Sequence, residues 1–291
     1  MWRFIQFADT HLGGNTDGVG NHRLIRTLMP GVIGCLRQDI QELRPEFLVP
    51  TGDITSIQTR DAMFAARDLL DSLRTPYLPV GGNSDFQLEQ SRSWFVDAFQ
   101  AWLPIRDTVY SVTHRGVHFC ILDPWWRWPD GTLCPFAGSE EGDYSWGLPP
   151  HQIDWLKHNL NAHSTLPTII VCHVPTTPLP ARFCREGSVD RGSLWNGELF
   201  LDQVMRHKQV KAIFSGHSHI NYVERINGLT QVVTGALLEY PVEYRDIHVG
   251  NDGLEIHTRG LSDATYAARS LVEGMEWTAG EPADRTATIA F

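Results

Sequence analysis

The chain has 291 residues, 42% of them hydrophobic, and its 34 acidic against 24 basic side chains give a formal net charge of -10. That length and apolar content suit one large domain or two small ones with a substantial core. The acidic balance argues against broad electrostatic binding to nucleic acid or an anionic membrane, but it admits a small anionic substrate where bound metal reverses the local field. The five cysteines (Cys35, Cys120, Cys134, Cys172, Cys184) are odd in number and form no CxxC pair. They read as reduced thiols in a cytoplasmic protein. Met1-Trp2-Arg3-Phe4-Ile5 runs straight into a strand-like segment with no leader pattern, and no apolar run reaches the roughly 18 residues of a membrane span.

In chain order, Phe4–Ala8 reads as a strand ending in Asp9-Thr10-His11, with Gly13 and Gly14 opening a loop. From Leu24 to Leu43 apolar residues recur at helical spacing, with Pro30 at a start or kink. Phe47–Pro50 is a second strand, ending in Thr51-Gly52-Asp53. Asp61–Leu73 reads as a helix, and Tyr77–Val80 as a third strand ending in Gly81-Gly82-Asn83-Ser84-Asp85. This alternation is the pattern of βαβ units and a parallel sheet. Ligand sites in such sheets lie off the carboxyl ends of the strands.

Thr108–Val112 and Val117–Leu122 form an expected hairpin about His114-Arg115-Gly116. The following stretch, 124–147, is rich in Trp, Pro and Gly; packing that holds a long loop down is favoured over a pocket for a flat group. Pro149–Asn161 reads as a helix. Thr168–Cys172 is a buried-type strand ending at His173, and Leu199–Met205 is helical. In the loop 175–195, Arg182, Arg185 and Arg191 read as a phosphate clamp or as a solvated loop, the second being favoured. Ala212–Phe214 delivers Ser215-Gly216-His217-Ser218-His219. Ile220–Val223, Thr230–Val233, Asp246–Val249 and Leu254–His257 then suggest short antiparallel strands. The tail from Gly280 is expected to wrap over the surface. His151, His158, His163 and His207 sit in polar contexts and read as solvated.

The strand ends supply seven metal-ligating residues: Asp9, His11, Asp53, Asn83, His173, His217 and His219. Taken singly, the carboxylates could cap helices and Asn83 could fill a turn. Jointly, chance does not readily place all seven along one sheet edge. Imidazole, carboxylate and amide oxygen suit Zn, Mn or Fe, and no thiolate is in position. Seven ligands exceed one tetrahedral ion and suit two ions sharing a carboxylate, the arrangement that stabilises both attacking and leaving oxygens of an in-line displacement. The implied chemistry is hydrolysis at phosphorus by a metal-bridging hydroxide.

Asp9-x-His11, Gly52-Asp53, Gly82-Asn83, His173 and Gly216-His217-x-His219, in that order, resemble the calcineurin-like metallophosphoesterase family over roughly residues 3 to 249. The resemblance implies an α/β fold, a four-layer α/β/β/α sandwich of two mixed β-sheets. It implies a metallophosphoesterase domain over 1–260, with 261–291 as a C-terminal extension packing on it. It further implies one metal held by Asp9, His11, Asp53 and His219 and another by Asp53, Asn83, His173 and His217, with Asp53 bridging. Thr234-Gly235-Ala236 and Glu239-Tyr240-Pro241 look similar to the class III cyclic nucleotide phosphodiesterases and related glycerophosphodiesterases.

One position departs from the family. Ser84 stands where the family has a histidine that contacts phosphate and helps the leaving group. General acid-base help is worth about 10²–10⁴ in rate, and a hydroxyl is a poor proton donor at neutral pH. His22 and His114 are the candidate replacements. Asn83, Ser84 and His217 are the expected catalytic contacts to phosphate. The expected partner is a small-molecule phosphoester, with no nucleic acid or membrane, and a homodimer is the oligomer considered. The alternatives are a phosphomonoester or phosphotriester hydrolase, a DNA nuclease of the same superfamily (the opening Ala8–Gly13 is similar to that of the repair exonucleases) and a non-catalytic metal-binding scaffold.

Overall fold

Alternating burial along the strands sorts the core into layers. A computed structural model describes residues 1–138 and 145–291. One sheet has five strands in the order Thr286–Ala290, Gly253–Gly260, Glu243–Val249, Trp2–Phe7 and Phe47–Pro50. The other has six, in the order Tyr222–Ile226, Leu229–Val233, Val210–Ser215, Thr168–Cys172, Val117–Leu122 and Tyr110–His114. Both are mixed: Trp2–Phe7 runs parallel to Phe47–Pro50 but antiparallel to Glu243–Val249, and the four inner strands of the larger sheet are parallel.

In Val117–Leu122, Phe119 and Ile121 join one apolar cluster and Cys120 and Leu122 another. Ile169 and Val171 alternate with Ile170 and Cys172 in the same way, as the two-residue period of a strand buried on both faces requires. The first cluster joins the two sheets and the helix Met29–Leu43 through Val32, Ile33, Leu36 and Ile40. Phe4 meets Phe119 edge-on at 5.5 Å between the sheets. The second cluster packs the helices Pro150–Ala162 and Gly197–Val204 on the outer face through Leu156, Leu160, Phe200 and Val204. The architecture is thus a four-layer α/β/β/α sandwich. Buried Gln6 ties the sheets near their carboxyl ends, donating to Thr51 Oγ1 and Ser215 O and accepting from Thr234 Oγ1.

Several local expectations change. The helix begins at Met29 with Pro30 in its first turn, where a missing N–H costs nothing, so Pro30 marks a start rather than a kink. Tyr77–Val80 is held by two isolated bridges, Leu48 to Tyr77 and Thr51 to Val80, because Pro79 contributes no N–H to a ladder. Leu229–Val233 is antiparallel to Tyr222–Ile226 but parallel to Val210–Ser215, since Asn227 and Gly228, both at positive φ, turn the chain back into the sheet. The tail supplies the edge strand Thr286–Ala290, with Ile289 buried, instead of wrapping over the surface. The Trp-rich stretch contributes three short paired strands, Trp125–Arg127, Leu133–Cys134 and Ser145–Gly147; the rest of that stretch, 139–144, lies outside the described residues. Among the described residues, no helix is long and apolar enough to cross a membrane.

Candidate metal centre

The strand ends converge at the edge where Trp2–Phe7, Phe47–Pro50, Thr168–Cys172 and Val210–Ser215 all terminate. Five of the seven residues there have positive φ: Asp9 (54°), His11 (40°), Asp53 (49°), His217 (66°) and His219 (58°). Side-chain-bearing residues rarely occupy this region, at a cost of about 1–3 kcal/mol each, and hold it only where surroundings dictate it. At two of them backbone hydrogen bonds between the loops hold it: Asp9 N–H donates to Gly52 O at 3.1 Å and His11 N–H to Asp53 O at 2.9 Å. Buried Asp85 accepts from the N–H groups of Ile54, Thr55 and Gly82, locking the two acidic loops together. Gly52 has φ +77°, and a Cβ on it would come within 2.3 Å of the His173 ring.

The imidazoles and carboxylates approach closely enough to share cations. Ligand atoms of Asp9, His11 and His219 lie within 4.8 Å of one another, as do those of Asp9, Asp53 and His173. Asp53 turns one oxygen to each group: Oδ2 is 3.6 Å from His11 Nε2 and Oδ1 is 3.3 Å from His173 Nε2. Asp9 Oδ1 lies 3.3 Å from His219 Nε2 and 3.8 Å from His173 Nε2.

The partners of the other ring nitrogens fix which nitrogen is free. His173 donates through Nδ1 to Thr51 O at 2.9 Å, and His219 through Nδ1 to Glu239 Oε1. His217 donates through Nε2 to Arg191 O at 2.7 Å, which leaves Nδ1 as its available nitrogen. Its N–H also donates to Asp9 Oδ2. His217 is therefore in neither triplet of close ligand atoms, but its ring sits 5.1 Å from that of His173.

Asp9 Oδ1, His11 Nε2, Asn83 Oδ1 and His173 Nε2 are buried without a hydrogen-bond partner. Each such atom costs about 1–3 kcal/mol if left unsatisfied. Asp9, His11 and His173 belong to the two close groups and Asn83 lines the adjoining pocket; all four atoms can present a lone pair, so these residues fit a metal site.

The electrostatics agree. Burial disfavours charge on Asp53, but His173 and His11 outweigh it and hold the carboxyl well below its usual range. Burial, helped by the neighbouring His219 and His173, pushes His11 down to about 4, and burial with His173 pushes His217 down to about 3, so both stay neutral and able to ligate. On His173 burial opposes charge, but Asp53 and Asp9 prevail and raise it to about 9. A cation replacing that proton meets the same two carboxylates.

Ser84 is committed to Asp53. Its N–H donates to Oδ1 and its hydroxyl to Oδ2, both at 2.7 Å. Neither candidate replacement histidine serves the site. His22 is occupied by Thr278 Oγ1 and the Val272 N–H. His114 pairs with Glu46 at 2.6 Å and packs on Trp2, where the first strand begins rather than ends. Glu239 is a further element of the site. It accepts from His219, from the His22 N–H at 2.6 Å and from Arg191 at 3.3 Å. Twenty positions and two strands separate it from His219, and no local pattern marks the pair.

Above the ligands opens a pocket of about 750 Å³, whose walls include His11, Asp53, Asn83, Ser84, His217 and His219 together with Arg26, Trp146 and Arg191. Trp146 packs edge-on against His217 at 4.6 Å, so the tryptophan-rich segment does reach the site. Arg191 meets both His217 and Glu239, whereas Arg182 pairs with Asp284 and Arg185 stays on the surface. A larger groove of about 850 Å³ along Leu148, Ile153, Leu194 and Leu199 holds none of the seven residues; volume alone does not mark the site.

Comparison with known proteins agrees with this geometry. The chain is 23% identical over 223 residues to a probable cyclic nucleotide phosphodiesterase of Synechococcus sp., covering 76% of each chain. It is 25% identical over 181 residues to a glycerophosphodiester phosphodiesterase of Enterobacter lignolyticus, covering 60% of this chain and 56% of that one. In fold it is similar to a dimetal phosphatase from Danio rerio, with a TM-score of 0.69 at 18% identity over 91% of this chain and 99% of that one. The family model of the calcineurin-like phosphoesterases matches residues 3–221, and the chain belongs to that family of phosphoric ester hydrolases.

Proposed function

We propose that the protein hydrolyses a small phosphodiester, of the cyclic nucleotide or glycerophosphodiester type, at a centre of two metal ions drawn from Mn, Fe and Zn. Asp9, His11, Asp53 and His219 would hold one ion, and Asp53, Asn83, His173 and His217 the other. The observation that carries this reading is Asp53: its two oxygens face one imidazole from each set, as a bridging carboxylate must. Two bound ions supply an activated water nucleophile and positive charge for the attacking and leaving oxygens.

The chain's own groups do the positioning. Ser84 fixes Asp53 through two hydrogen bonds, Thr51 O and Glu239 orient His173 and His219, and Arg191 O orients His217. Such outer partners set the ring orientation and basicity of a ligand. Asn83 and His217 face the pocket, where the phosphate binds. With the Ser84 hydroxyl held by Asp53, the leaving group departs without a protonated imidazole, so the reaction favours good leaving groups. The names of the two relatives support a phosphodiester over a monoester.

The test is hydrolysis of bis(p-nitrophenyl) phosphate by chelator-stripped protein before and after Mn²⁺ is returned. Activity should vanish on stripping and come back with metal. Protein that takes up Mn²⁺, Fe²⁺ or Zn²⁺ yet never turns this ester over would sink the proposal and favour a binding scaffold.

A further inference from the structure

Arg26 forms part of the wall of the metal pocket from the turn just ahead of the helix Met29–Leu43. It is half-buried, and among the described residues its guanidinium has no carboxylate and no hydrogen-bond acceptor. Asp17, a nearby acid in sequence, is taken by the N–H and hydroxyl of Thr27. The loop before it closes on the side chain: a Cβ on Gly14 would lie 2.7 Å from Arg26 Cδ, and one on Gly18 would lie 2.8 Å from Nη1. Other arginines of this acidic chain meet acids, as Arg3 meets Asp246, Arg92 meets Asp123 and Arg285 meets Glu243.

Arg191 lines the same pocket. One of its terminal nitrogens reaches Glu239, while its Nε is buried without an acceptor. Glu239 is already shared with His219 and the His22 N–H, so it compensates Arg191 only in part. Among the described residues the two guanidinium groups have a single ion pair between them, Arg191 with Glu239, so they bring surplus positive charge to the pocket wall. Guanidinium forks match phosphate oxygens, and two cations suit a dianion better than a carboxylate. The pocket, at about 750 Å³, also has room for more than one phosphodiester group.

We propose that Arg26, with Arg191, binds a second phosphate group carried on one ester arm of the substrate. The inference rests on the phosphodiesterase reading above, which places the scissile phosphate at the metals, and it narrows the substrate class to phosphodiesters bearing a further phosphate.

Two chromogenic esters differ only in that group: thymidine 5′-(p-nitrophenyl phosphate) and its 3′-phosphorylated form. Metal-loaded wild-type protein should prefer the phosphorylated ester by about tenfold or more in kcat/KM, mostly through KM, as expected for a charged hydrogen bond. Arg26→Gln should bring the ratio of the two esters close to one, and Arg26→Lys should keep part of it. An equal rate on both esters in the wild type, or a preference that survives Arg26→Gln, overturns the inference. Bis(p-nitrophenyl) phosphate separates the two proposals: no hydrolysis of it by metal-loaded protein overturns the phosphodiesterase reading and this inference with it, whereas hydrolysis without discrimination between the thymidine esters overturns this inference alone.

Discussion

Replacing Glu239 by Gln changes one atom in a buried side chain and conflicts with every partner arrangement the site offers. One carboxylate oxygen accepts from His219 Nδ1 and from Arg191; the other accepts from the His22 N–H at 2.6 Å. A glutamine presents one acceptor and one NH₂. Either orientation sets that NH₂ against a donor, the His22 N–H in one case and the His219–Arg191 pair in the other. The structural loss is that of a buried donor left unpaired, about 1–3 kcal/mol. The loss at the metal follows from His219, whose orientation and basicity depend on the carboxylate. Removing such an outer partner typically lowers metal affinity about 10–100-fold. Mn²⁺ titration by calorimetry of Glu239→Gln beside the wild type reads the second effect, and the melting temperature of the stripped protein reads the first. Affinity unchanged within about twofold would refute the claim that Glu239 acts through His219. Glu276→Gln, which alters an exposed acid, should leave both quantities alone.

Other consequences are as direct. Gly82→Ala places a Cβ 2.3 Å from Asp53 Oδ1 and 2.4 Å from its backbone nitrogen, so it should abolish tight metal binding; a variant that binds metal like the wild type would contradict the packing around Asp53. Burial pushes the Cys120 and Cys172 thiols up to about 12, leaving them almost wholly protonated at pH 8, whereas Cys184 is exposed. Mass spectrometry after brief iodoacetamide treatment should therefore find Cys184 alkylated and Cys120 and Cys172 untouched until urea is added. Burial lowers the pKa of His118, which bonds Asn159 and Thr113. Protonation then favours the unfolded chain, so the contribution of His118 is complete above the unfolded value of 6.5 and is lost as pH falls below it. Urea midpoints should drop less from pH 7.5 to 5.5 in His118→Gln than in the wild type, and equal drops would refute the assignment.

The candidate metal centre was legible in the sequence because the residues proposed as its ligands are local to strand ends. A buried strand followed by Gly-Asp, Gly-Asn or Gly-His-x-His carries its own signal, and βαβ order sends those ends to one edge. What the sequence withheld depends on contacts between distant segments. The Ser84 hydroxyl lies on Asp53, 31 positions away, and Glu239 on His219 across a hairpin. Arg26 looks like any residue before a helix until the loop 13–22 folds over it. Tyr77–Val80 has the composition of a strand, but Pro79 reduces it to two bridges. The tail looked like loop because Thr286–Ala290 buries only Ile289 fully, yet alternation alone is enough for an edge strand.

The central claim is that two metal ions share Asp53. Crystals grown with Mn²⁺ and measured at the manganese absorption edge test it most directly. The account predicts two anomalous peaks about 3.5–4 Å apart, one beside Asp9, His11 and His219, the other beside Asn83, His173 and His217, with the Asp53 carboxylate between them. A single peak, or two that leave Asp53 to one side, would contradict it.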